Sequence, residues 1–278
     1  MKPEVKLNRF VVSAILIAFL AITTFGQEPR VYTRTDFVNI EGGNLSARID
    51  RAVKQFKGTN QGNSVWLAYH FPQVEGLQIG PFSGMIYRDD DGIRLDRTDK
   101  PSEAAVFLLA DTTTDKPVIK RITTLNLSEP YKFENRPVYW LGNADANESI
   151  ALLDSMRKEN PASESVGRSG LRSIALHSSP RAVALLKDAA QKETPVEVQR
   201  AAIQGLGRNG SAEATSAVIE IYDAAGSSTV LKEEAISALG RSSDRRAADK
   251  LLSIAKGDSN PDLRKAAIRR LPQMSVRN

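Results

Sequence analysis

Histidine, cysteine and clustered carboxylates are the side chains that most often carry chemistry, and this sequence uses them sparingly. Its 278 residues hold two histidines, His70 and His177, and no cysteine. The histidines stand far apart, and neither has a histidine or cysteine at ligand spacing, so no zinc-type site is expected. Without cysteine there is no thiolate nucleophile and no disulfide. Asp89-Asp90-Asp91-Gly92 invites a calcium loop. The EF-hand order is not met, because Tyr87 holds the first ligand position and no glutamate follows at the required distance. The run reads instead as a hairpin turn between Gly84-Met-Ile-Tyr87 and Ile93-Arg-Leu95. Gly167-Arg-Ser-Gly170 is a poor imitation of a nucleophile elbow, since its serine falls inside a helical pattern. There is no phosphate-binding loop and no dinucleotide fingerprint. A Ser-His-Asp triad built from distant positions would leave no local signature. Neither cofactor, metal ligand nor catalytic residue is assigned. Trp66, Tyr69, Phe71 and Trp140 could form a binding platform. The core reading is preferred, with Trp66 in a sheet and Trp140 at its seam with the helices that follow.

Charge narrows the partners. The formal net charge is +5. Lys2, Lys6 and Arg9 against Glu4 account for two of these, leaving 5 − 2 = +3 for the rest. Arginines such as Arg168, Arg200, Arg241 and Arg264 are interleaved with Glu and Asp. A nucleic-acid groove wants an unbroken basic stripe, so a solvated surface with local ion pairs is the expected reading.

The elements that must position these residues are legible from period. From about Val138 onward one pattern returns. Val166-Gly-Arg-Ser-Gly-Leu-Arg-Ser-Ile174 is followed by Val198-Gln-Arg-Ala-Ala-Ile-Gln-Gly-Leu206. Leu231-Lys-Glu-Glu-Ala-Ile-Ser-Ala-Leu239 and Leu263-Arg-Lys-Ala-Ala-Ile-Arg-Arg-Leu271 come next. Ile174, Leu206, Leu239 and Leu271 fall at intervals of 32, 33 and 32 residues. Val138-Tyr-Trp-Leu141-Gly reads as a half-preserved copy 33 residues upstream of Ile174, its first helix interrupted by Glu134-Asn-Arg-Pro137. Repetition at this period marks stacked helix pairs.

Each copy offers two short helices. Thr194, Pro195 and Glu197 suggest a capping box, and Gly207 and Gly210 a stop. Ser211 then caps a second helix with Ala214, Ala217, Val218 and Ile221 inward. Ser179-Pro180, Ser243 and Asn260-Pro261 start others, and Asp145 with Glu148 another. Leu185, Leu186, Leu251 and Leu252 are expected inward. Gly170, Ala202, Ala235 and Ala267 hold equivalent places, where a small side chain lets neighbouring helices close up.

The motif Pro-x-x-Val/Leu-x-x-x-Ala-Ile-x-x-Leu-Gly followed by a capped second helix resembles the HEAT repeat, in the short bacterial form also found in phycobilisome-lyase-like proteins. The resemblance spans about Val138 to Met274. It implies an α-solenoid and protein–protein scaffolding. Trp66-Leu-Ala-Tyr69-His-Phe-Pro72 and Val138-Tyr-Trp-Leu141 more faintly resemble a segment that precedes HEAT arrays in some exported bacterial proteins.

Upstream, Asn44 to Phe56 reads as an amphipathic helix, with Leu45, Ile49, Val53 and Phe56 on one face. Ser64 to Phe71 is apolar on both faces, as a buried strand would be. Ala104 to Ala110 and Pro117 to Ile122 add strands, giving a small, mainly antiparallel sheet with the helix packed on it. At the start, Lys2, Lys6 and Arg9 precede the uncharged run Phe10 to Phe25 and the small residues of Thr24-Phe-Gly26. This reads as a secretory signal, with an uncleaved anchor as the alternative.

The expected protein is therefore α+β: a signal at 1–26, a small α+β domain at 27–133 and a HEAT-like α-solenoid at 134–278. The expected function is a non-enzymatic interaction scaffold outside the bacterial cytoplasm, periplasmic or extracellular. Its partner is another protein, not nucleic acid, with no membrane contact beyond an anchor. Polar positions on the second helices, Arg181, Glu213, Glu220, Arg246 and Lys250, form the first candidate surface. An enzyme or enzyme accessory, or a structural or stress-sensing envelope module, are the other readings.

Overall fold

The structure, a computed structural model, describes residues 30–75, 103–160 and 163–273. The expected secretory signal and the expected Asp89–Asp91 hairpin lie outside them. The chain is mixed α+β, with a β-rich N-terminal region followed by a run of helices.

Strand β3 (Ser64–His70) is the centre of the sheet. Its residues are apolar at successive positions because both of its faces are covered. It pairs antiparallel with β4 (Ala104–Asp111), which pairs antiparallel with β5 (Val118–Asn126). On its other side it runs parallel to β7 (Val138–Asn143), and β7 runs parallel to β2 (Val38–Asn39). The five-stranded order is β2-β7-β3-β4-β5. A separate ribbon joins β1 (Val31–Tyr32) to β6 (Tyr131–Lys132).

Two expectations are corrected here. The sheet is half parallel rather than mainly antiparallel. Val138–Asn143, expected as the first repeat copy, is a strand of the five-stranded sheet. The physical reason is local composition. Val138-Tyr139-Trp140 is β-branched and aromatic, and it can bond both Trp66–His70 and Val38–Asn39.

Strand alternation sorts the side chains into two cores. Val65, Leu67, Tyr69, Val106, Leu108, Tyr139 and Leu141 point to one face and merge with the core of the helices. Helix α1 (Leu45–Lys57) covers this face with Leu45, Ile49, Ala52, Val53 and Phe56, capped by Asn44. Trp66, Ala68, Phe107, Val138 and Trp140 point the other way, against Tyr32, Phe37 and Phe133. The aromatics are therefore core, but Trp140 lies on the face opposite the helices. Tyr69 and Phe71 occupy the seam instead.

The helical run begins with α2 (Ala146–Glu159), capped by Asp145, and α3 (Glu164–Ile174), capped by Ser163. α4 (Pro180–Lys192), α5 (Val196–Asn209) and α6 (Ala212–Ala224) follow. α7 (Thr229–Leu239), α8 (Arg245–Gly257) and α9 (Pro261–Arg270) complete it. Ser179, Ser211 and Asn260 cap as expected. Helix α5 has no side-chain cap, because Pro195 and not Thr194 is its N-cap and carries no acceptor, and Glu197 accepts from Arg200 instead of closing a box. Asp244, not Ser243, caps α8, its carboxylate being the stronger acceptor for the Arg246 N–H. Leu252 is 43% exposed rather than inward.

Adjacent helices pair, α2 on α3, α4 on α5, α6 on α7 and α8 on α9, and the pairs also touch through helices two places apart. α3, α5, α7 and α9 touch in succession, and so do α4, α6 and α8. α3 also lies on β5, which seats the run on the sheet. Ala202, Ala235 and Ala267 are fully buried, as the expected close approach requires. The approach is tightest at the helix C-terminal ends. A Cβ on Gly207 would stand 2.7 Å from that of Ala238, and one on Gly240 would stand 2.9 Å from that of Arg270.

Candidate functional site

The seam between sheet and helices assembles the groups whose types could do chemistry. His177 follows the last turn of α3 and is fully buried, stacked on Phe71 at 4.1 Å between ring centroids. Its Nδ1 lies 2.9 Å from the Ser173 carbonyl, which can only accept, so Nδ1 carries the proton. Nε2 is left as an acceptor, and Ser149 Oγ donates to it across 2.7 Å. Ser149 is also hydrogen-bonded to the Tyr69 hydroxyl at 3.0 Å. Burial drives the His177 pKa down to about 4, because a charged imidazole has no water here. Burial likewise raises that of Tyr69.

This is nucleophile–base geometry: a hydroxyl on an imidazole whose other nitrogen is held by a carbonyl. Yet Ser149, His177 and Tyr69 are each 0% exposed, so no substrate reaches them in this conformation. What the chain of bonds does is join α2, the end of α3 and β3. Backbone bonds reinforce it, from Val74 N–H to Leu176 O at 2.9 Å and from Ser178 N–H to Pro72 O at 3.0 Å. Thr124 on β5 bonds Ser173 at 2.9 Å. Arg48 of α1, nearly buried, donates to the Leu141 and Asn143 carbonyls and stands 3.8 Å from Glu148, which accepts from the Leu45 N–H. No local motif announces these partners, because each bond spans separate elements.

The five surface positions expected from sequence lie on α4, α6 and α8. Arg181 and Glu213 are exposed. The other three bond to neighbouring helices. Glu220 accepts from Lys187, and Lys250 pairs with Asp223. Arg246 donates to Ser216 Oγ and the Ala212 carbonyl while pairing with Asp244. These side chains fasten one helix to the next, and their polar atoms are partly occupied.

A different surface emerges at the C-terminal ends of α3, α5, α7 and α9. Arg172 and Arg208 sit in the last turns of α3 and α5, Arg241 follows α7, and Arg270 ends α9. The contacts of Gly205 with Ala175, Gly207 with Ala238 and Gly240 with Arg270 hold these ends level. Arg172, Arg208 and Arg241 are exposed, and their guanidinium groups make no hydrogen bond or ion pair among the described residues. The surrounding protein lowers the Arg208 pKa, and the charges of Arg172 and Arg241 push the same way. Arg241 is also lowered by desolvation, Glu234 opposing and Arg270 assisting. Arg270 donates to Ser237 at 3.0 Å. Beside it, α7 and α9 frame a cleft of about 410 Å³ lined by Glu233, Ile236, Ser237, Ala266, Arg269 and Arg270.

Among the described residues there is no group of three or more His, Cys, Asp or Glu side chains able to hold a metal ion. None of their helices is long and apolar enough to cross a membrane. Compared with protein-family models and with curated proteins, the chain matches none.

Proposed function

We propose that the helical run is a short α-solenoid of HEAT-like helix pairs and that the protein is a non-enzymatic protein–protein interaction scaffold working outside the cytoplasm of a bacterium. The observation that carries this is the recurrence of one contact. Gly170, Ala202, Ala235 and Ala267, at equivalent sequence positions, are all buried, each on one of the helices α3, α5, α7 and α9 that touch in succession. Repeating a contact adds helices side by side, and the product is a wide wall rather than a pocket. Residues 1–26 supply the export reading. The sheet then serves as the closing cap of the stack, with β7 standing where a first helix would otherwise lie.

The enzyme reading has one feature in its favour, the Ser149–His177 pair, and the full burial of both side chains weighs against it. Cross-linking of the tagged full-length protein in intact cells, with the linked residues identified, tests the scaffold. The expected result is one defined partner linked to exposed positions of α3–α9, recovered from an envelope fraction. Recovery of the protein solely from cytoplasm, or links confined to the β-rich region, would overturn the proposal.

A further inference from the structure

We infer that the arginine row at the ends of α3, α5, α7 and α9 is the partner-binding track, and that its occupant is an extended acidic segment of another protein with a carboxylate at every third residue. The inference rests on the scaffold reading and gives its partner a chemistry.

The first argument is charge. Several other arginines of the run are answered from within, while Arg181, Arg245 and Arg269 are exposed. Arg200 binds Glu197 and Glu234, Arg157 binds Asp154 and Glu193, and Arg264 donates to the Asp258 and Ser259 carbonyls. The charges of Arg172 and Arg241 both weigh on Arg208, and that of Arg270 weighs on Arg241, where Glu234 opposes it. Part of that repulsion is offset by the negative end of each helix dipole, which favours cations in a last turn. A dipole needs no row, however, and α6 and α7 carry no basic residue in their last turns. Guanidinium forks accept carboxylates in two-pronged fashion, so a partner bearing carboxylates relieves the repulsion and satisfies the donors together.

The second argument is spacing. Packed helices lie about 8–10 Å apart, and α3, α5, α7 and α9 touch in succession. The row therefore presents a guanidinium roughly every 9 Å. A polyproline-type segment advances about 3.1 Å per residue with three residues per turn, so every third side chain falls on one side at about 9 Å intervals. A fully extended strand puts same-side residues only about 7 Å apart and drifts out of step.

Fluorescence anisotropy with the full-length protein tests the track. One labelled peptide carries glutamate at every third position, and its isomer of equal composition carries the glutamates in one block. A single-stranded DNA of equal charge is the third probe. The spaced peptide should bind most tightly. Arg208→Gln should weaken it about fivefold, and the Arg172→Gln, Arg208→Gln, Arg241→Gln combination on the order of a hundredfold. The same three positions changed to lysine, which keep charge but lose the fork, should fall between. Thermal transitions should hold or rise, since repulsion is removed. Equal binding of the two isomers, tighter binding of the DNA, or unaltered binding by both triple variants would overturn the inference. A cross-linked cellular partner that the glutamine triple variant still retains would sink the track while leaving the scaffold standing.

Discussion

The seam and the joints between successive helices solve the same problem with opposite materials. Between α5 and α7, or α7 and α9, the contact is alanine or glycine against the neighbouring helix, with Arg200 bonding Glu234 and Arg270 bonding Ser237 beside it. At the seam the contact runs through His177, Ser149, Tyr69 and Arg48, all buried and each with its own partner. Small apolar contacts can be repeated because they ask only for room. A buried polar chain cannot, since each atom left without a partner costs about 1–3 kcal/mol. The difference teaches that the helical run tolerates variation while the seam specifies one arrangement.

Four measurements break or sharpen that contrast. The largest effect is expected from His177→Ala, which removes the stack on Phe71 and abandons Ser149 and the Ser173 carbonyl. Urea unfolding should show a loss of roughly 3–5 kcal/mol. Next is acid. The native His177 pKa of about 4 lies below the ordinary 6.5, so the unfolded chain binds the extra proton first. Its contribution is complete above the ordinary pKa and disappears as pH falls towards the native one. The fold should lose about 3 kcal/mol across that window, and His177→Gln should flatten this part of the pH profile.

Third is Gly207→Ala. The gain in helix propensity, about 0.5–1 kcal/mol, is smaller than the overpacking cost of about 1–3 kcal/mol when the new Cβ meets Ala238. Thermal denaturation should show a net loss of roughly 1–2 kcal/mol. Smallest is Lys187→Ala, which removes a half-exposed pair with Glu220 and should cost under about 1 kcal/mol in the same assay. A Lys187 effect as large as that of His177 would erase the contrast.

What could be read from the sequence was what local physics decides. Asn44, Ser179-Pro180, Ser211 and Asn260-Pro261 mark helix starts because a cap acts within one turn. Ser64–His70 announces burial on both faces by lacking alternation. What escaped depends on distant residues. Val138–Asn143 carries a 33-residue echo of the repeat, yet its pairing with β2 and β3 makes it a strand. Ser149 and His177 meet only because α2 and the end of α3 both dock on β3. The arginine row was hidden among mixed charges, since sequence cannot show that Arg200 finds Glu234 while Arg241 binds no carboxylate among the described residues.

The position of β7 has one more consequence. On the proposed solenoid reading a strand closes the stack at its sheet end, so duplication or deletion of a helix pair farther along would leave the bonds of His177 and Arg48 with the sheet, α1 and α2 in place. Each duplicated pair would lengthen the run by about one helix width, roughly 9 Å. Lineages descending from this architecture are thus expected to differ in how many pairs they carry, with reach adjustable at one end and anchorage constant at the other.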